Sequence, residues 1–433
     1  MAEIRAFRGI RYDARKVRSL TDVVTPPYDR VPEDVQAALY ARSPVNMVRI
    51  IKGRTEPKDD ERDNVYTRAA RTFQEWSASG VLVRDPEPSL YVYHQEYTFD
   101  AERLVRKGVM ALATLEPEKV HAHERTLKGP KEDRLRLMRA SEANFEHVFM
   151  LYNDPRRAAE RALGAAIADR PPDMVAEDAD RNEHRVWRVS DPRTIGEVRA
   201  ALLDKDLYIA DGHHRYETSV NYMRECRERG WSPAAPESFD ARLMTLFNIA
   251  EPGMSIRPIH RMVHGVAGFA PETFLERAGE WFDVTRHGTF EAMQEAVAAG
   301  KGHHTFGFFA RDVAASLRLR DERVMDERIG GAWSKEYRRL GVSILHAAIL
   351  EPLLGIDAKA LEEQANITYS VNVEKGRKGV ESGAEQMFFI LNATSAGEVV
   401  GVADHGEKMP QKSTDFYPKL LTGLVFSKME IRK

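Results

Sequence analysis

The sequence predicts a mixed α/β (α+β) protein of two units, and three observations carry that prediction. Segments of strand character alternate with segments of helical periodicity along most of the chain, the pattern of an α/β or α+β fold. At 433 residues the chain is long for one domain. The register of elements changes after Gly265. An N-terminal unit is therefore expected over 1–265 and a second α/β unit over 266–433, with the terminal segment of the second returning to the site of the first.

The elements follow in order. Thr25-Pro26-Pro27-Tyr28-Asp29 reads as a rigid extended turn, because each proline fixes its own φ and restrains the residue before it. Pro32-Glu33-Asp34 opens a helix that runs to about Ala41, with proline and acids where a helix N-terminus favours them. Asn46 to Ile51 alternates like a strand, and a polar stretch leads to a helix from about Asn64 to Ser79, ended by Gly80. Leu90 to Phe99 and Arg103 to Leu115 form a predicted hairpin. His121 to Pro130 is loop-like, Lys131 to Ala143 helical, and Asp154 to Ala168 helical up to the break at Pro171-Pro172. Strands near Met174 and Val186 and a helix over Pro192 to Leu203 lead to the segment that begins at Leu207.

In the second unit, helices are expected over Pro271 to Phe282 and Phe290 to Ala299, and strands over Thr305 to Ala310 and Ala314 to Arg320. An apolar helix from Leu340 to Leu354 closes on Gly355, and Gln386 to Leu391 reads as a buried strand. No internal repeat or low-complexity segment is present.

Composition narrows the function. Hydrophobic residues at 42% and charged residues at 30% describe a globular protein with ample core. A net charge of −3 gives no clustered basic excess, so a nucleic-acid partner is not expected. No apolar run reaches the length of a membrane span, the N-terminus lacks a signal-peptide pattern, and Cys226 stands alone. A cytoplasmic protein with no membrane partner is the expectation, and a homodimer is left open.

The most informative stretch is Leu207-Tyr208-Ile209-Ala210-Asp211-Gly212-His213-His214-Arg215-Tyr216-Glu217. A strand runs into Asp-Gly, and a long helical pattern follows at once. Glycine at such a turn lets another group approach the backbone closely. The first helical turn then offers N–H groups and a partial positive charge to an anion. His213, His214 and Arg215 stand where side-chain donors for phosphate would be needed. The plain alternative is a strand–helix turn whose histidines are satisfied internally.

Other clusters surround this one. Glu124, in His121-Ala122-His123-Glu124-Arg125-Thr126, is a carboxylate among imidazoles and cations, a suitable general base for a substrate hydroxyl, with His123 beside it. Arg125, Lys128 and Lys131 can offset charge on a transferring phosphoryl group. Three histidine pairs (121/123, 213/214 and 303/304) lack the spacing of a zinc site. Magnesium arriving with a nucleotide fits better, because it needs only one or two carboxylates plus phosphate oxygens. Asp211 is the first choice for that metal and Asp29 the second. Near the end of the chain, Lys412, Ser413 and Thr414 are further residues able to reach a phosphate. Neither a Walker-type loop nor a kinase glycine-rich loop is present.

Gly-His-His-Arg-Tyr-Glu resembles the Gly-Cys-His-Arg-Tyr-Glu signature of sulfiredoxins and the Gly-Glu-Arg-Arg-Tyr-Arg box of ParB-type partition proteins. Free-serine kinases of the same superfamily carry an Asp-Gly-His-His-Arg version. His213 stands where the sulfiredoxin nucleophile would be, which argues against sulfiredoxin chemistry.

Over its whole length the chain also resembles domain-of-unknown-function family 1015. The landmarks are Pro26 to Asp29, Pro44-Val45-Asn46 with Val48-Arg49, and His123 to Thr126 with Lys131 and Asp133-Arg134. Asp211 to Glu217, Leu345-His346 with Glu351 to Gly355, and Met409 to Phe426 complete the set.

These resemblances imply a ParB/sulfiredoxin-like nucleotide-binding core with insertions. They also imply phosphoryl transfer from ATP or ADP, with Mg2+, to a small hydroxyl compound, free L-serine being the leading acceptor. Gly212, His213, His214, Arg215, Arg125 and Lys131 would hold the nucleotide. Asp29, Asn46, Arg49 and Lys412 would contact the substrate, and Glu124, Asp211 and His123 would serve catalysis. A nucleotide-binding switch without kinase activity is the alternative, and a metal-dependent hydrolase a third. The catalytic reading requires Glu124 and Arg215 to line one cleft, with the Pro26–Asp29 turn at its border.

Overall fold

The computed structural model describes residues 3–124, 126 and 128–433. The chain forms two compact units, one made of Met1–Ser255 with Pro418–Lys433 and the other of Ile256–Tyr417.

The first unit is built on a nine-stranded mixed sheet among the described residues. Its order is Val120–Ala122, Leu207–Asp211, Val148–Tyr152, Ala241–Asn248, Glu102–Thr114, Leu90–Phe99, Glu183–Val189 and Met174–Glu177, with Ile4–Arg5 pairing on Glu102–Thr114. The 90–99 and 102–114 strands form the expected hairpin, from Tyr91 opposite Met110 to Phe99 opposite Glu102. Val148, Met150, Ile209, Met244 and Leu246 meet in one buried core. The central 148–152 and 241–248 strands are buried at every position. Such strands show no alternation, which is why sequence pattern does not mark them.

Local chemistry sets the element ends. Asn64 caps the Val65–Ala78 helix by accepting from the Tyr66 and Thr67 amides, and Thr67 completes a capping box. Asp191 caps Pro192–Leu202, which has proline in its first turn. The helix expected from Lys131 begins at Lys128 instead, since Pro130 in a first turn lacks only an N–H that would be unpaired anyway.

Two expectations are corrected. Residues 46–51 are not a strand: Val48–Ile51 is a short helix. Asn46 turns the chain into it, accepting from the Val48 amide at 2.9 Å and donating to the Asp22 and Val24 carbonyls at 2.8 and 3.1 Å. The segment at His121 is not wholly loop, because Val120–Ala122 pairs in parallel with Leu207–Asp211, His121 opposite Tyr208. Parallel pairing brings the carboxyl ends of both strands to one end of the sheet, where α/β proteins commonly bind ligands.

The second unit carries a six-stranded sheet among the described residues, all of its neighbours antiparallel. The helix expected over 271–282 stops at Ala278, and Phe282 starts a strand. The apolar run from 340 is helical as Gly341–Ile344, a π-helical Leu345–Leu350 and Glu351–Leu354, ended by Gly355 at φ +70°. Among the described residues no helix is long and apolar enough to cross a membrane.

Candidate phosphate-binding and catalytic site

The site of the first unit begins where the Leu207–Asp211 strand meets the His213–Glu228 helix. Gly212 joins them at φ +95°, a conformation that favours glycine, and among the described residues no side chain caps the helix there. A Cβ at Gly212 would stand 2.9 Å from the Arg215 guanidinium. The backbone of the turn is thus packed on the arginine of its own helix.

Arg215 itself is turned inward. It is 4% exposed, donating through Nη2 to Asp211 Oδ2 at 2.8 Å and through Nη1 to the His147 carbonyl. The expectation that it reaches out to phosphate is corrected: it braces the turn from beneath. His147 continues the brace, with Nδ1 2.8 Å from Thr245 Oγ1 and Nε2 2.6 Å from the Val425 carbonyl. The carbonyl requires the proton on Nε2, so Nδ1 accepts from the threonine. Burial lowers the His147 pKa to about 4 and keeps the ring neutral.

Lys419 supplies a cation at the turn that the sequence reading missed. Its Nζ lies 3.3 Å from Asp211 Oδ1, and both side chains keep partial exposure. The lysine is held in place through its backbone: Gln95 donates to the Lys419 carbonyl at 2.9 Å, and Arg106 donates to the Pro418 carbonyl. Thr25 and Thr422 exchange amide–carbonyl bonds at 3.1 and 2.8 Å, tying the Pro26–Asp29 segment to the same terminal stretch. Lys419 lies within the Met409–Phe426 landmark, seven residues after the Lys412 that the sequence singles out.

Two carboxylates here are set apart electrostatically. Burial raises the Asp211 pKa, but Lys419, Arg215, Arg30 and His213 outweigh it and hold this carboxylate well below the usual range. Asp29 moves upward, through desolvation and the Asp211 charge, against the pull of Arg215 and Lys419. Asp211 therefore carries the fixed charge, and Asp29 takes up a proton first as pH falls. Tyr28 locks this corner, donating its amide to Glu146 Oε1 at 3.0 Å beneath the Arg134 guanidinium, 4.1 Å from the ring centroid. Arg134 in turn gives Nη1 to Glu146 Oε2 at 3.0 Å.

The His123-Glu124 segment arrives at the same turn. Glu124 Oε2 is 3.5 Å from His213 Nδ1, and the His123 and His213 rings meet edge to face at 4.6 Å. Burial lowers the His123 pKa to about 4, so its ring is neutral at physiological pH. Glu217 clasps the segment onto the helix by accepting from Thr126 Oγ1 and from Lys131 Nζ, the latter at 2.9 Å. His214, half-buried one residue after His213, feels Asp29, Glu217, Lys131 and Arg215, with burial lowering its pKa overall. The structure thus brings Glu124, His123, Asp29, Asp211, Gly212, His213, His214 and Lys131 to one end of the sheet, with Arg215 below.

Other expected site residues fall elsewhere. Arg125 lies outside the described residues. Asn46 is fully buried and occupied by backbone groups, so it shapes the loop rather than touching a ligand. Arg49 lines a separate cleft with Tyr40, Arg54 and Arg68. Lys412 belongs to the second unit, where its carbonyl accepts from Arg261 at 3.0 Å. Among the described residues, no group of three His, Cys, Asp or Glu side chains is arranged to hold a metal ion.

Solved structures similar to this chain are distant. A free serine kinase in complex with AMP is 14% identical with a TM-score of 0.36, covering 74% of this chain and 91% of its own. A conserved hypothetical protein from Pyrococcus furiosus is 13% identical with a TM-score of 0.34, covering 72% of this chain and 92% of its own. SbnI with a C-terminal truncation, from Staphylococcus aureus, is 11% identical with a TM-score of 0.33, covering 72% of this chain and 85% of its own. No curated protein matches. The family model of DUF1015 matches residues 4–343, and the chain belongs to that family of proteins of unknown function.

Proposed function

We propose that the first unit transfers a phosphoryl group from a magnesium-bound ATP or ADP to a small hydroxylated metabolite, with free L-serine the leading acceptor. The observation that carries this reading is the convergence of Glu124 on the Gly212 turn, 3.5 Å from the first residue of its helix. A turn of this kind receives phosphate oxygens on helix N-terminal amides, and the Asp-Gly-His-His-Arg resemblance to free-serine kinases points the same way. Lys419 adds a cation able to offset charge on the phosphates, as Lys131 does from the side of the turn helix.

In this mechanism the acceptor hydroxyl attacks the terminal phosphorus in line, and the bond to the bridging oxygen breaks. The hydroxyl proton passes to Glu124, and the shortened nucleotide leaves with the bridging oxygen. Asp211, ionised and beside Asp29, offers hard oxygen donors suited to magnesium carried in by the nucleotide, which would neutralise charge on the phosphates. His123, neutral and buried against His213, orients that imidazole toward Glu124.

Acceptor-dependent consumption of nucleotide tests the reading. Nucleotide should disappear only when a hydroxy compound is present, and Glu124→Gln should abolish that dependence. Nucleotide binding with a change of association state, and no acceptor that stimulates turnover, would replace the kinase with a switch.

A further inference from the structure

The first unit holds a polar cleft, of about 600 Å³, whose lining shares no residue with the phosphate turn. Its walls come from the Glu33–Arg42, Val48–Ile51 and Val65–Ala78 helices and from the loop at Gly53-Arg54. Three arginines face it. Arg68 is neutralised, giving two bonds to the Asp59 carboxylate at 2.7 and 3.0 Å. Among the described residues, Arg49 and Arg54 are not.

Both of those guanidinia lie over the ring of Tyr40, with Cζ 4.3 and 4.2 Å from its centroid. Arg49 gives Nη2 to the Tyr40 carbonyl at 3.0 Å, and its buried Nε has no hydrogen-bond acceptor among the described residues. The Arg54 amide donates to Tyr40 Oη at 3.1 Å, which fixes the backbone beneath its side chain. Neither guanidinium has a carboxylate within ion-pair distance among the described residues, although Glu56 also lines the cleft. One aromatic ring therefore holds two like charges at the wall of a cleft of ligand size. Cation–π attraction orients them without neutralising them, and guanidinium forks match phosphate oxygens.

We propose that this cleft binds a small phosphate monoester, held by Arg49 and Arg54, independently of the nucleotide site. Two cations call for a dianion, and a monoester carries close to two negative charges at neutral pH. A volume near 600 Å³ suits a phosphorylated metabolite. The proposal does not rest on phosphoryl transfer at the turn, and either can fail alone.

Isothermal titration with glycerol 3-phosphate tests it, in the presence of saturating magnesium ADP and with malonate as a dicarboxylate control. One saturable site is expected, weakened at least tenfold by Arg54→Ala and unchanged by Lys419→Met. Arg54 is exposed, so its replacement leaves the fold intact, and an unchanged thermal midpoint verifies this. Arg49→Lys should weaken binding as well, because a lysine cannot reproduce the fork. No saturable binding would overturn the proposal, as would binding that survives Arg54→Ala but is lost in Lys419→Met. Malonate binding more tightly than the monoester would overturn the ligand class.

Discussion

Replacing Gly212 by alanine separates the backbone demand of the turn from the Arg215 brace beneath it. The left-handed conformation at φ +95° costs an alanine about 1–2 kcal/mol. The added Cβ would also meet Arg215 Cζ, Nε and Nη2 at 2.9 Å, so the guanidinium must shift away from Asp211 and the His147 carbonyl. Loosening one charge-assisted hydrogen bond costs about 1.5–3 kcal/mol more. A destabilisation of about 2.5–5 kcal/mol is therefore expected. Gly230 is the control, since it ends the same helix at φ +75° with no atom of the described residues within 4 Å of an added Cβ. Gly230→Ala should cost only the backbone share, about 1–2 kcal/mol. Urea unfolding of both variants, followed by tryptophan fluorescence and circular dichroism, gives the difference. If the two variants unfold within about 0.5 kcal/mol of each other, Arg215 does not brace the turn.

Three more outcomes follow from the same geometry. Glu124→Gln should lower kcat by about 10²–10⁴ while leaving nucleotide affinity within about twofold, read by steady-state kinetics and calorimetry; a loss confined to affinity would make Glu124 a binding residue. Lys419→Met should weaken magnesium–nucleotide binding about 10–100-fold. It should also raise the Asp29 pKa further, because this cation favours the ionised form; a carbon NMR titration that shows Asp29 unmoved would contradict the charge assignment. Stability of the first unit should fall as pH drops from 6.5 toward 4, because His123 and His147 are held neutral when folded, with pKa lowered from 6.5 to about 4, and protonate more readily when unfolded. Each contributes a slope of about 1.4 kcal/mol per pH unit in that window. A urea midpoint that stays level between pH 6.5 and 5 would argue against both rings being neutral and buried.

Much of the local structure was legible because the signals were local. Asn64 and Thr67 mark a helix start, the hairpin of 90–114 alternates, and Asp211-Gly212 joins a strand to an amphipathic helix within a few residues. The short 46–51 segment misled because Asn46 spends its side chain bending the chain through bonds to Asp22 and Val24, which no periodicity encodes. The buried 148–152 and 241–248 strands were silent for want of a polar face.

At the site, the chemistry of Asp211 and Glu124 was readable from residue type, but partnership was not. Arg215 looked like a phosphate donor until burial and the His147 carbonyl claimed it. The cation that faces Asp211 instead is Lys419, separated from it by the whole second unit in sequence and positioned by Gln95 and Arg106 from the central hairpin. Long-range pairing of this kind leaves no trace in a local pattern.

Phosphorus NMR of the purified chain with magnesium ATP or ADP and a panel of hydroxylated metabolites that includes L-serine tests phosphoryl transfer most directly. The account predicts a new phosphomonoester resonance that grows in step with loss of the terminal nucleotide phosphate, and that vanishes in Glu124→Gln. Release of inorganic phosphate alone, or an unchanged nucleotide spectrum with every acceptor, would contradict it.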